Sequence, residues 1–359
     1  MSKIQFRTEE LSKIVSQLGK LSPSKLLEIT RYWHILGDGE VVTFTAYDGA
    51  NFIRAVIESA AEIDVMVKAE QFGKLIDRTT SATVTLVQEE SSLKVIGNGE
   101  YSVDIVAEDE EYPSFDELLG DEVTEDNALL IDSALFSNIA NINDSAVSKS
   151  GADGIYTAFL VDGDKAVTTD IIRVCINPIK DHGLRMLVPY NLMQVLASIP
   201  DEKVYLWQID DTTIYVSSAS VEVYGKLMEG IEDYEDVTQL DSLEMVDTVS
   251  LTTGPVLSVL DRLVLFTNVF DKGTVELLFL KDKLRVKTSS NSHEDLPYVE
   301  AGKKASHKEF TCRLNSLLLK EIVSTVTSDN FSISYGSENA IRIEANGVVY
   351  FLALQDEEE

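Results

Sequence analysis

The chain has 359 residues, 44% of them hydrophobic, with 30 Lys and Arg against 61 Asp and Glu, a formal charge of −31 at pH 7. That length suits about two or three domains, each with enough apolar content to bury a core. No apolar run approaches the ~18 residues of a membrane span, and no charged-then-apolar leader opens the chain, so a soluble, cytoplasmic protein without a membrane partner is expected. An anionic surface of this strength opposes nucleic-acid binding unless the charge is unevenly distributed.

In chain order, the first helix is expected over Thr8–Lys20, with Leu11, Ile14, Val15 and Leu18 on one face. Strands follow over Leu26–Ile35 and Val41–Ala46, joined at Gly37-Asp38-Gly39, then over Phe52–Ser59. A second helix over Ala69–Thr79 precedes three strands, Thr83–Gln88, Leu93–Gly97 and Tyr101–Ala107. The acidic stretch from Glu108 to Asp126 reads as a solvated connector. The order then repeats. A helix over Ser133–Asn143 leads to strands over Ile155–Val161, Ala166–Thr169 and Ile171–Ile176. A helix over Tyr190–Ile199 precedes strands over Val204–Ile209, Thr213–Ser217 and Val221–Met228. A third round begins with a helix over Pro255–Asn268 and strands over Thr274–Leu280 and Leu284–Thr288. A loose segment, Ser289–Leu296, precedes a strand near Pro297–Glu300. A helix over Asn315–Thr325 and strands over Phe331–Tyr335, Ile341–Ala345 and Val348–Leu354 close the chain.

The repeat is plainest where a strand runs into an amphipathic helix: Val65–Ile76, Leu187–Leu196 and Phe310–Leu319. A period of about 120 residues is too long for a solenoid and makes each copy a small domain. The reading is therefore α+β, with three domains at 1–125, 126–246 and 247–359, each carrying two helices on antiparallel strands.

Chemistry-bearing constellations are missing from the sequence. His34, His182, His293 and His307 show no ligand spacing, so neither a metal nor a cofactor is expected. Cys175 and Cys312 sit in apolar, strand-like contexts and read as buried small hydrophobes. Asp48 and Asp170 occupy corresponding strand-to-turn junctions and read as turn residues bonding their own backbone rather than a catalytic dyad. No catalytic residue is assigned, and an enzyme is not expected.

The whole chain resembles the bacterial-type DNA sliding clamp family, the β subunit of DNA polymerase III. Ala166–Val174 (AVTTDIIRV) is similar to that family's strand ending in Thr-Asp-Gly-His-Arg-Leu, and Leu187-Val188-Pro189 to its Val-Pro before the second helix. Lys226–Tyr234 (KLMEGIEDY) resembles its Lys-Leu-hydrophobic-x-Gly-x-Pro-Asp-Tyr run. Val106–Pro113 resembles its Ala-Glu-Asp-Phe-Pro segment with one insertion.

The resemblance implies half of a six-domain ring, closed by a head-to-tail homodimer, with helices lining a hole that encircles double-stranded DNA. Such a clamp tethers DNA polymerase and takes a clamp loader through short hydrophobic peptides. The helices read here (7–20, 69–80, 132–149, 189–200, 254–268 and 313–327) hold nine Lys or Arg and eight Asp or Glu, a net of +1. The anionic excess thus lies outside them. Lys13, Lys20, Lys74, Arg78, Lys149, Arg262 and Lys320, with Lys25 and Lys203 nearby, are the candidate DNA-facing bases. The family's peptide groove would here use Ile155, Thr169, Ile171, Ile172, Arg173, Val174, Val237, Tyr350, Phe351, Leu352, Ala353 and Leu354. Subunit contact would involve Tyr101 and Val103 facing Leu260 and Leu263.

Departures from the family pattern are specific. Ile171-Ile172 stands for Gly-His, Glu232 and Ala353 for prolines, and Asp236 for a usually basic residue. They indicate a divergent clamp of the kind a phage or plasmid replication system encodes, with an altered partner peptide. Two other readings compete: a DNA-free acidic ring or scaffold of a phage or virion assembly, and, ranked last, a hydrolase using paired carboxylates.

Overall fold

The computed structural model describes residues 3–106, 111–119, 123–267, 273–300, 309–337 and 339–355. The expected helix end at Asn268, His307, the expected strand end at Ala107 with the acids 108–110, and the tail beyond 355 lie outside them. Six α-helices are present among the described residues: α1 (Thr8–Leu18), α2 (Ala69–Asp77), α3 (Ala134–Asn143), α4 (Tyr190–Leu196), α5 (Thr253–Leu263) and α6 (Ser316–Ser324). Each follows directly on a strand: Lys3–Arg7, Glu62–Lys68, Leu129–Asp132, Arg185–Pro189, Asp247–Thr252 and Phe310–Asn315 respectively. The strand-into-helix unit legible three times in the sequence thus occurs six times. The strands at 3–7, 129–132 and 247–252 escape a sequence reading because they are short and abut stronger helical signals.

The helices bury the faces their periodicity marks. In α1, Leu11, Ile14, Val15 and Leu18 are buried, and α1 packs on α2 as α5 packs on α6. Asn315 caps α6, its side chain accepting from Leu317 N at 2.9 Å and Leu318 N at 3.3 Å.

The chain divides into two compact units, 1–137 with 188–229, and 138–187 with 230–359. Main-chain pairing explains why the middle copy contributes to both. In the first unit an eight-stranded antiparallel sheet passes from the first copy to the second where Phe52–Glu58 pairs with Val221–Lys226. In the second a nine-stranded sheet passes from the second copy to the third where Arg173–Pro178 pairs with Val348–Ala353. A four-stranded sheet accompanies each: 3–7, 83–88, 92–96 and 100–104 in the first unit, and 293–297, 283–288, 274–279 and 310–315 in the second. Cys175 and Cys312 are buried thiols, and burial pushes Cys312 up to about 12.

Five segments depart from the sequence reading, one being the strand expected from Ile171, which begins at Arg173 after a turn. Residues 28–31 form a 3-10 turn, so the strand begins at Tyr32 rather than Leu26. Gly151–Thr157 is also 3-10, kinked at Gly154 (φ 56°), which delays the expected strand from Ile155 to Ala158. The segment read as loose before 297 contains the strand His293–Pro297. The acidic connector is only partly solvated. Phe115 is 4% exposed, edge-on to Phe52 (6.0 Å) and Tyr215 (6.1 Å). Arg54 lies 4.3 Å over its ring and bonds Glu222 (2.7 Å) and Asp116 (2.8 Å). The Tyr112 hydroxyl donates to the carbonyls of Tyr32 and Thr45, both at 3.3 Å. Acid count alone misreads a segment whose few aromatic residues decide where it lies.

Phe115→Ala is therefore expected to cost about 3 kcal/mol, against under about 0.5 kcal/mol for Ser114→Ala. Urea unfolding of the first unit, followed by fluorescence of Trp207 in the same cluster, measures both. Equal midpoints would return 111–119 to a solvated connector.

Candidate functional site

The turn between strands Lys165–Thr169 and Arg173–Pro178 is built by Asp170. Its Oδ1 accepts from the backbone N–H of Ile172 (3.1 Å) and Arg173 (2.9 Å), and its Oδ2 from Arg173 Nε (2.9 Å). Thr169 closes the other side: its hydroxyl donates to Arg173 O (2.9 Å) and accepts from Ile171 N (3.0 Å). Asp48 does the same work in the first copy, accepting from Ala50 N and Asn51 N. Both are turn residues, as expected.

The turn forces Ile171 to φ +75°. A β-branched side chain in that region is strained by about 1–2 kcal/mol, which glycine would avoid. The resulting turn leaves Ile171 72% and Ile172 53% exposed. Two isoleucines in water on a strained backbone make an apolar tip that self-packing does not explain.

The twelve candidate groove residues do not form one lining. Arg173 pairs with Leu352 and Val174 with Phe351 across the antiparallel ladder. Side chains of paired residues share a face and successive residues alternate. Arg173, Tyr350 and Leu352 therefore lie on one face, and Thr169, Val174 and Phe351 on the other. Tyr350 and Leu352 belong to the core beside α5 and α6 and are buried, which corrects their assignment as lining. Ala353 is held beside the turn, its N–H donating to Ile172 O at 2.8 Å. Ala353 and Leu354 are half-buried. Ile155 is half-buried in its 3-10 segment, next to Tyr156, which rests edge-on against Tyr234 at 5.9 Å. The Tyr234 hydroxyl donates to Val167 O at 3.4 Å, so the segment leading to buried Val237 lies beside the same strand.

Arg173 is charge-saturated. Its side chain is 9% exposed and, besides Asp170, bonds the Glu321 carboxylate of α6. The guanidinium of this candidate groove residue is already neutralised within the chain.

The nine candidate DNA-facing bases divide in a similar way. Six hold a carboxylate of the same chain: Lys13 with Glu9 (2.7 Å), Lys74 with Glu70 (2.5 Å), Lys149 with Asp144 (2.9 Å), Arg262 with Glu294 (2.6 Å), Lys320 with Asp261 (2.5 Å), and Lys203 with Asp132. Among the described residues, Lys20, Lys25 and Arg78 have no such partner, and all three are exposed. Exposed pairs are worth at most ~1 kcal/mol, so a phosphate could displace the acids, but the net attraction is small. Among the described residues no cluster of His, Cys, Asp or Glu could hold a metal, and no helix is long and apolar enough to cross a membrane.

Of the four expected subunit-contact residues, Val103, Leu260 and Leu263 are buried in the chain's own cores, which removes them from any surface. Tyr101 remains 46% exposed, on Glu100–Asp104 at the edge of its four-stranded sheet. Two residues that the sequence reading passed over stand out after α5: Leu265 (78% exposed) and Phe266 (54%). The helix expected to run to Asn268 ends at Leu263 and gives way to a 3-10 turn over Val264–Phe266, which turns these two side chains outward.

No protein-family profile and no curated protein sequence matches the chain. Solved structures do. The DNA polymerase III β subunit of Thermotoga maritima superposes with a TM-score of 0.84 at 13% identity, covering 100% of both chains. The fold is that of a DNA sliding clamp. The clamp of Bacillus subtilis gives 0.82 at 17% identity over 99% of this chain and 100% of that one. The C. crescentus clamp, described with polyethylene glycol bound at its β-motif tethering region, gives 0.80 at 14% identity over 99% of each. At such identities the clamp fold is shared while most side chains differ. The left-handed backbone at Ile171 carries a cost of its own. Ile171→Gly should raise stability by about 0.5–1 kcal/mol by relieving the left-handed strain, whereas Ile172→Gly should lower it. Denaturant midpoints of the two variants distinguish them, and a loss in the first equal to that in the second would remove the strain.

Proposed function

We propose that the protein is a processivity factor: a ring that encircles duplex DNA without reading its sequence, and tethers a polymerase and other replication proteins in the cytoplasm. It performs no chemistry. The observation that carries this reading is a clamp fold along the full length of the chain, built from six strand-into-helix units. The physical gain is effective concentration: a tethered polymerase rebinds faster than a free one. The three repeats, 1–125, 126–246 and 247–359, are taken as the clamp domains, two chains making six. The neutralised bases suit a topological tether, because a ring that does not rely on phosphate attraction slides freely. The turn at Ile171 and Ile172, with Ala353 and Leu354 beside it, is taken as the docking place for apolar peptides of the polymerase and clamp loader.

Ring closure needs a heterologous contact that closes on itself. The edge strand Glu100–Asp104 with Tyr101, and the exposed pair Leu265–Phe266 beyond α5, are taken as the surfaces that meet there, from among several exposed apolar sites. Closure by two chains predicts a dimer mass in light scattering, and Phe266→Asp predicts a monomer with unchanged circular dichroism. A dimer that survives this substitution and Leu265→Asp together would place the contact elsewhere.

The decisive test of the tether is retention after loading onto DNA. The protein should stay on covalently closed circles through a salt wash and be lost once the circles are linearised. Equal loss from both would favour the acidic scaffold ring instead.

A further inference from the structure

We infer that the surface around Ile171 and Ile172 takes a short apolar peptide flanked by lysines or arginines, and turns away acidic flanks. This rests on the peptide-docking reading above and names the class of partner.

The apolar tip supplies the central attraction. Ile171 and Ile172 are 72% and 53% exposed on a turn whose geometry is fixed by Thr169 and Asp170. Leu317, 44% exposed, lies one helical turn before Glu321 on α6 and so shares its face. Burying such side chains is worth about 1.5–3 kcal/mol each, which is the usual source of affinity for a short apolar motif.

Charge decides what the motif is flanked by. Asp170 and Glu321 both bond Arg173, leaving that trio at −1 with its single cation 9% exposed. Glu321 keeps 57% of its side chain in water. On the segment beside Val167, Glu232, Asp233 and Glu235 are exposed. Lys320, next to Glu321, is held by Asp261 at 2.5 Å. Among the described residues, Arg173 and Lys320 beside Glu321 are thus each bonded to a carboxylate, while several carboxylates face water. An acidic flank would meet like charge, with Arg173 and Lys320 already paired. A basic flank would meet a field that also speeds encounter.

The test uses the full-length protein and two fluorescent peptides sharing one leucine–phenylalanine core, with two lysines or two glutamates on each side. Anisotropy titrations at low ionic strength should show the lysine-flanked peptide binding at least tenfold more tightly. The advantage should shrink several-fold in 0.5 M salt, as screening requires. Glu321→Gln should narrow the gap by removing one carboxylate, which leaves Arg173 and Asp170 a neutral pair. Ile172→Asp should weaken both peptides. Equal or tighter binding of the glutamate-flanked peptide would overturn the charge preference and leave the docking reading standing. Binding of neither peptide at millimolar concentration would overturn both.

Discussion

Two antiparallel pairings between strands far apart in the sequence build the two compact units, one in each. Phe52–Glu58 joins Val221–Lys226 across the first and second copies, and Arg173–Pro178 joins Val348–Ala353 across the second and third. Each pairing turns two short sheets into one long one, so no copy keeps an unpaired edge at its junction. Register follows from side-chain alternation: a slip of one residue would send Leu352 out of the α5 and α6 core and Phe351 into it. Arg54 reinforces the first junction, bonding Glu222 on the joined strand and Asp116 on the acidic segment.

The candidate docking turn depends on the second pairing. Because Arg173 opens the joined strand, its side chain is delivered to the α6 side, where Glu321 meets it. The same register places Ala353 against Ile172 through a main-chain hydrogen bond. The strain at Ile171 is tolerated because Thr169 and Asp170 over-determine the turn. A strained backbone bearing exposed isoleucines is poor design for stability alone and suits a surface that another chain covers.

Electrostatics follows a single theme across the molecule. The chain carries −31, yet its cations are mostly spent on its own carboxylates, from Lys13 with Glu9 on α1 to Lys320 with Asp261 between α6 and α5. Such pairing lowers the attraction for phosphate while leaving a surface near neutral locally. The proposed ring, retained by topology, would tolerate this, whereas a protein held to DNA by phosphate contacts would not.

Periodicity and spacing by themselves determined the α+β class, the six helices and the repeat, because amphipathic helices and alternating strands are local patterns. The Asx turn at Asp170 was legible for the same reason, whereas Lys13 and Lys74, read as DNA-facing bases, proved to be paired with Glu9 and Glu70 one helical turn away. Only the tertiary structure decided that Tyr350 and Leu352 are core, that Val103, Leu260 and Leu263 are covered while Leu265 and Phe266 are not, and that Phe115 anchors an acidic segment. It alone showed that Arg173, Arg262 and Lys203 are neutralised, by Glu321, Glu294 and Asp132. These outcomes hang on which strands pair and which face a residue takes in the joined sheet. That is a long-range choice, and a window of neighbouring residues carries no record of it.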